Sequence, residues 1–193
     1  MTPKALFLDR DGVVNEERHY VFRIEDFVFV DGIFDLCRAA IGKGFDIVIV
    51  TNQAGIARGY YDEKDFETLT DWMCRRFAEN GVVIRKVYYS PFHPTEGKGK
   101  YRREAFCRKP NPGMIIAARD EFGFDLSKSV LVGDKTSDIE AGKRAGVGRN
   151  LLIDADTRDD FPGAVRRLSD VIPFLEDNAH CGEHPRSVSS EAS

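Results

Sequence analysis

Asp9 and Asp11 stand two residues apart, directly after the apolar run Ala5-Leu6-Phe7-Leu8 and directly before Gly12. Two carboxylates so placed suit phosphoryl transfer, with one acting as nucleophile and metal ligand while its neighbour moves a proton at the leaving group. Alternate residues of an extended segment point the same way, and in open α/β sheets the reactive crevice lies beyond the carboxyl ends of the strands. An isolated D-x-D is more often a polar turn. Three further clusters give this one its weight.

Thr51-Asn52-Gln53 follows the run Ile47-Val48-Ile49-Val50 and offers a hydroxyl and amides to phosphate oxygens. A helix cap is the equal alternative for Thr51 and Asn52 taken alone. Arg108-Lys109-Pro110 puts two cations just before Asn111-Pro112, where they can neutralise a transferring phosphoryl group or simply form a solvated basic turn. Gly133-Asp134-Lys135, with Asp138 close behind, follows Ser129-Val130-Leu131-Val132. Acidic oxygens at a strand end are hard ligands suited to Mg2+, while Asp138 alone would read as a helix cap. The joint order of the four clusters, each at a strand end or helix start, favours catalysis over coincidence.

The elements that must position these residues alternate. Strand-like apolar runs fall at 4–8, 46–50, 82–89, 129–132 and 150–153, with helical patterns at 32–42, 63–79, 112–122, 136–145 and 162–176. Such alternation predicts a parallel α/β sheet. Asp62 and Asn111-Pro112 suit helix starts, and Gly42, Gly44, Gly123 and Gly146 suit helix ends. Residues 90–106 are too rich in Pro, Gly and charge for a regular element, and a loop of that length is usually functional.

Composition narrows the field. At 193 residues and 42% hydrophobic, the chain can form one folded domain over 1–177. The stretch 178–193 carries His, Gly, Pro and several serines with almost no apolar content, and reads as a disordered tail. A net charge of −4 gives no global drive towards nucleic acid or an anionic membrane. The absence of an apolar stretch of about 18 residues or a leader predicts a cytoplasmic protein with no membrane partner. Ordinary amphipathic helices predict a monomer. Cys37, Cys74, Cys107 and Cys181 have neither disulfide-framework nor zinc-ribbon spacing, and Cys37 and Cys74 read as small core residues.

The order Asp9-x-Asp11-Gly12, Thr51, Lys109 and Gly133-Asp134-x-x-x-Asp138 resembles the haloacid dehalogenase superfamily of aspartate-nucleophile phosphatases, from about Ala5 to Ile153. Within it, the runs Leu8–Gly12, Thr51–Gly59, Arg108–Met114 and Val132–Lys135 look like the D-glycero-D-manno-heptose 1,7-bisphosphate 7-phosphatases, with histidinol-phosphate phosphatases sharing much of the pattern. The resemblance implies a Rossmann-like three-layer α/β/α sandwich with a mostly parallel sheet and a minimal cap of short loop inserts. It assigns Asp9 as nucleophile and Asp11 as acid and base. Thr51, Asn52 and Lys109 hold the phosphoryl oxygens, and Mg2+ sits between Asp9, the Asp11 carbonyl and Asp134, with Asp138 in support. It also places substrate contacts at Glu17, Arg18, His19, Tyr20, Gln53, Ala54, Arg108 and Lys135. The expected substrate is a small sugar bisphosphate whose second phosphate suits Arg108, Arg18 or Lys135; histidinol phosphate, and a non-catalytic sugar-phosphate binding module, are the alternatives.

One departure stands out. Both relatives commonly carry structural zinc on a Cys-x-His and Cys-x-Cys pair, where this chain has Ser90-x-Phe92 and Ala105-x-Cys107. Cys107 and the adjacent His93 cannot complete a closed four-ligand shell, so no zinc is expected. Packing of Tyr89, Phe92, Tyr101 and Phe106, with prolines, is expected to hold the loop instead.

Overall fold

The computed structural model describes residues 2–153 and 163–176. Strands β1 (Lys4–Leu8), β2 (Phe45–Asn52), β3 (Ile84–Ser90), β4 (Val130–Gly133), β5 (Arg149–Ile153) and β6 (Ala164–Val165) form one sheet in the order β3-β2-β1-β4-β5-β6. Every neighbouring pair is parallel. Helices α1 (Ile33–Gly42), α2 (Ala54–Arg58), α3 (Glu63–Glu79), α4 (Gly113–Phe122) and α5 (Thr136–Ala145) lie between the strands.

Residues of the central strands β1, β2 and β4 are buried on both faces, and their alternation divides the core. Leu6, Leu8, Ile47, Ile49, Val130 and Val132 pack with Ile33 and Leu36 of α1 and Leu69, Met73 and Phe77 of α3. Ala5, Phe7, Val48, Val50 and Leu131 face the other way, onto Met114, Ile115 and Ala118 of α4 and Ile139 of α5. This is the three-layer α/β/α arrangement, and it explains why the strands read as near-continuous apolar runs. Cys37 is buried in the first layer and Cys74 packs against it.

Local chemistry sets the helix ends. Asp62 caps α3 reciprocally, its Oδ1 accepting from the Asp65 amide at 2.9 Å while Asp65 Oδ2 accepts from the Asp62 amide at 3.1 Å. Gly123 and Gly146 close α4 and α5 in left-handed conformations.

The expectations need three corrections. The segment expected as a helix over 162–176 holds strand β6 and then a 3-10 helix over Leu168–Leu175, with Pro173 inside it. Pro lacks the amide that an α-helix would use there. Helix α2 and one 3-10 turn at Gly99–Tyr101 in the 90–106 loop were not foreseen. Phe106, expected to pack under that loop, is 63% exposed. Tyr101 does contribute, its hydroxyl donating to Glu63 at 2.9 Å and its ring lying 6.2 Å from that of Phe92. The proposed tail at 178–193, with Cys181, lies outside the described residues.

Candidate active site

The strand order reverses between β1 and β4, the pair from which the chain winds outward in both directions, and such a switch point opens a crevice at the carboxyl edge. Asp9 continues β1 there, its amide bonded to the Val132 carbonyl of β4 at 3.0 Å, so Asp134 at the end of β4 comes alongside. Gly12 and Gly133 make room for this approach. A Cβ on Gly12, whose φ is +94°, would lie 2.4 Å from Asp134 Oδ2, and one on Gly133 would lie 2.2 Å from the Cβ of Asp138.

Lys109 stands at the centre, 3% exposed. Its ammonium lies 2.7 Å from Asp9 Oδ1 and 2.7 Å from Asp138 Oδ1, and donates to the Val50 carbonyl at 2.8 Å. Asn52 sets the lysine's backbone through a two-way clamp: its Nδ2 donates to the Lys109 carbonyl at 3.0 Å, and its Oδ1 accepts from the Lys109 amide at 3.1 Å. Asn52, expected to meet phosphate, thus also places Lys109, and it lines the cavity above these groups. The peptide bond from Lys109 to Pro110 is cis.

Electrostatics follow from burial. Loss of solvent, with the charges of Asp138, Asp134 and Asp11, pushes Asp9 up to about 8 against the opposing pull of Lys109. Burial would depress Lys109, but the Asp9 and Asp138 carboxylates outweigh it and hold the ammonium charged. Burial also raises Asp134, with Lys135 opposing. Carboxylate oxygens of Asp9, Asp134 and Asp138 lie within 4.8 Å of one another, and among the described residues this is the acidic group close enough to hold a metal ion. Asp134 Oδ1 is buried without a hydrogen-bond partner. Hard oxygens, excess negative charge and an unsatisfied buried acceptor together fit a divalent cation such as Mg2+.

Asp11 is held differently. Arg10, 1% exposed, grips it through Nη2 at 2.8 and 2.9 Å and Nε at 3.1 Å. Asn15 Nδ2 and Gln53 Nε2 donate to the same carboxylate at 3.1 and 3.0 Å. Gln53 also donates to Thr51 Oγ1 at 2.8 Å and accepts from the Tyr61 hydroxyl at 2.5 Å. Arg10 and Tyr61 were missed in the sequence, because no spacing announces the contact of Arg10 with the Asp11 carboxylate or of Tyr61 with the Gln53 amide.

A cavity of about 660 Å³ opens over these groups; its lining includes Asp9, Asp11, Lys109 and Asp138 together with Glu17, His19, Tyr20, Asn52, Gln53, Ala54, Tyr61, Arg108 and Lys135. His19 and Tyr20 adopt left-handed backbone conformations, with φ of 48° and 60°, which non-glycine residues rarely do outside functional or tightly held loops. Lys135 bonds Glu17 at 3.0 Å and lies 3.3 Å from Asp134. Arg108 is half-buried and donates to the Phe92 carbonyl at 3.0 Å. Arg18, expected among the substrate contacts, is not part of this lining; it pairs at 2.6 Å with Glu16 on the surface. Thr51 is buried behind Gln53. In the 90–107 loop the Cys107 thiol lies 3.5 Å from Ser90 Oγ, and His93 Nδ1 accepts from the Glu96 amide at 3.0 Å.

Residues 106–164 match the HAD-hydrolase-like family model. A D-glycero-alpha-D-manno-heptose-1,7-bisphosphate 7-phosphatase of Burkholderia mallei is 56% identical over 179 residues, 91% of this chain and 95% of that protein. A D-glycero-beta-D-manno-heptose-1,7-bisphosphate 7-phosphatase of Vibrio cholerae is 47% identical over 79% of this chain and 82% of its own length. Among solved structures, the D,D-heptose 1,7-bisphosphate phosphatase from B. bronchiseptica, complexed with magnesium and phosphate, superposes with a TM-score of 0.76 at 27% identity, covering 89% of this chain and 97% of that one. With its six-stranded parallel sheet and the carboxylate and lysine cluster at the switch point, the chain belongs to the heptose-1,7-bisphosphate 7-phosphatase family of haloacid dehalogenase-like hydrolases.

Proposed function

We propose that this chain is a Mg2+-dependent phosphatase that removes the C7 phosphate of D-glycero-D-manno-heptose 1,7-bisphosphate through an aspartyl-phosphate on Asp9, in nucleotide-heptose biosynthesis for surface glycans. The observation that carries the reading is the buried Lys109 ammonium joining Asp9 and Asp138, beside the unpartnered Asp134 oxygen. The α anomer is the preferred form in this reading, since the 56%-identical relative is named for it.

In the first step an Asp9 oxygen bonds to phosphorus, the bond to the sugar oxygen breaks, and Asp11 gives that oxygen its proton. In the second, water attacks the same phosphorus, Asp11 takes its proton, and the bond to Asp9 breaks. Lys109 neutralises the transferring oxygens with Thr51 close by, and Asn52 keeps the ammonium in place. Asp9, the Asp11 backbone carbonyl and Asp134 would hold Mg2+, with Asp138 in support, and the ion offsets repulsion between anionic nucleophile and anionic phosphate. At the mouth, Arg108 and Lys135 supply positive charge for the second phosphate, and Arg108's planar fork suits two-point binding. Glu17, His19, Tyr20 and Ala54 line the path to it.

The same reading takes the enzyme to be monomeric, cytoplasmic and free of zinc, with a small sugar bisphosphate rather than nucleic acid or membrane as its partner. No helix among the described residues is long and apolar enough to cross a membrane. Asp9→Asn is expected to abolish phosphate release and trapping of a phosphoenzyme while leaving Mg2+-induced thermal stabilisation in place. Substantial residual turnover by that variant would overturn the assignment of Asp9.

A further inference from the structure

We propose that Tyr61 is a positioning residue for the acid and base carboxylate of Asp11, acting through the side-chain amide of Gln53. The inference rests on the reading of Asp11 as the group that protonates the leaving oxygen. Gln53 Nε2 lies 3.0 Å from Asp11 Oδ2 and 2.8 Å from Thr51 Oγ1, so its amino end faces two acceptors. Its carbonyl end therefore faces the Tyr61 hydroxyl, 2.5 Å away, and that hydroxyl donates. Donation into an amide carbonyl polarises the amide and strengthens its N–H groups as donors, so the three side chains act as one chain. Burial holds the phenol above its ordinary pKa, against the opposing charge of Arg10, and it stays a donor across the working range.

The seat of Tyr61 is built for this. The residue is 7% exposed, its ring stacks on Phe22 with centroids 5.0 Å apart and planes 9° apart, and its edge lies over the first turn of α2. A Cβ at Gly55 would come within 2.1 Å of Tyr61 Cε1, so only glycine there lets the ring sit where it reaches Gln53. Without the hydroxyl, the Gln53 amide loses the partner that anchors its far end. Asp11 is then left chiefly to Arg10 and Asn15, and its place relative to the leaving oxygen is less fixed.

A leaving group that departs without help separates this role from general scaffolding. 4-Nitrophenolate needs no proton to leave, whereas a primary sugar alkoxide does. Tyr61→Phe, which removes one oxygen and keeps the ring, is expected to lower kcat/KM on the heptose bisphosphate about three- to tenfold and on 4-nitrophenyl phosphate less than about twofold. Gly55→Ala, which displaces the ring, is expected to give the same split. Added to Asp11→Asn, the Tyr61→Phe change is expected to cost nothing further on the sugar substrate, since the group it positions is gone. Equal losses on the two esters, or additivity with Asp11→Asn, would overturn the proposal. Should the unmodified enzyme hydrolyse 4-nitrophenyl phosphate but not the heptose bisphosphate, the substrate reading fails instead, and the split is read on histidinol phosphate, another primary alkyl ester.

Discussion

Replacing Lys109 by Met removes the ammonium at the centre of the site and keeps nearly the same length. In the native arrangement that ammonium lies 2.7 Å from one oxygen each of Asp9 and Asp138. At an effective dielectric of about 20 a contact between two full charges at that distance has a gross Coulomb energy of roughly 6 kcal/mol. Desolvation offsets much of that, and breaking a buried pair by removing one partner typically costs about 3–5 kcal/mol. A second argument bounds the loss. Asp9, raised to about 8, already carries a proton through most of the range below that, so the loss falls on the remaining carboxylate, whose uptake of a proton would cost an ordinary aspartate about 4 kcal/mol at pH 7 and only about 1.5 kcal/mol at pH 5. Lys109→Met should therefore lose about 3–4 kcal/mol of unfolding free energy at pH 7 and less than about 2 kcal/mol at pH 5. Urea denaturation at both pH values, with chelator present so that no divalent cation takes the place of the ammonium, measures the difference. A loss that is the same at both pH values would refute the electrostatic account and leave simple packing as the cause. Activity should fall by a factor on the order of 10² to 10³ even where the variant is fully folded.

Asp9 has a folded pKa of about 8 against an ordinary value of 3.8, so the native chain binds more protons than the unfolded one between those limits. Without divalent cation its stability should fall as pH rises through that window. Mg2+ must displace the same proton, and its thermal stabilisation should be larger at pH 8 than at pH 6; an effect independent of pH would contradict this. Gly12→Ala forces a side chain into a φ of +94° and onto Asp134, so Mg2+ titration by calorimetry should show affinity weakened at least about tenfold, beyond a strain cost of roughly 1–2 kcal/mol. Arg108→Ala should lower kcat/KM on the bisphosphate about ten- to a hundredfold while sparing 4-nitrophenyl phosphate, as expected for a charged contact to the remote phosphate. Equal losses on both would take Arg108 out of that role.

Legibility of the fold followed the reach of its causes. Helices α3 and α5 run over the residues expected because Asp62, Gly146 and the apolar period are all local signals. The parallel α/β sheet was readable from its continuous apolar runs, but its layers came only through the family resemblance, because residues 5–8 and 47–50 are apolar throughout and which face each takes is set by the fold. Residues 162–176 misled because Leu168, Val171 and Leu175 are buried at spacings that suit an α-helix, while the decisive constraint is Pro173. Strand β6, two residues long, carries too little pattern to be seen. At the site, Asp9, Asp11, Lys109 and Asp134 could be named from motif order because each sits at the end or start of an element. What Asn52, Arg10 and Tyr61 do could not, because their partners are the Lys109 backbone, the Asp11 carboxylate and the Gln53 amide, set by tertiary contact alone. Arg18 is a cation in the right stretch whose exposed side chain pairs with Glu16 outside the cavity lining.

The most direct test of the central claim is phosphate release, with Mg2+, from the α and β anomers of D-glycero-D-manno-heptose 1,7-bisphosphate, with histidinol phosphate alongside. The account predicts one phosphate released per sugar, taken from C7, with the heptose substrates preferred and the α anomer foremost. Preference for histidinol phosphate, or silence on both heptose anomers from folded, Mg2+-loaded protein, would contradict it.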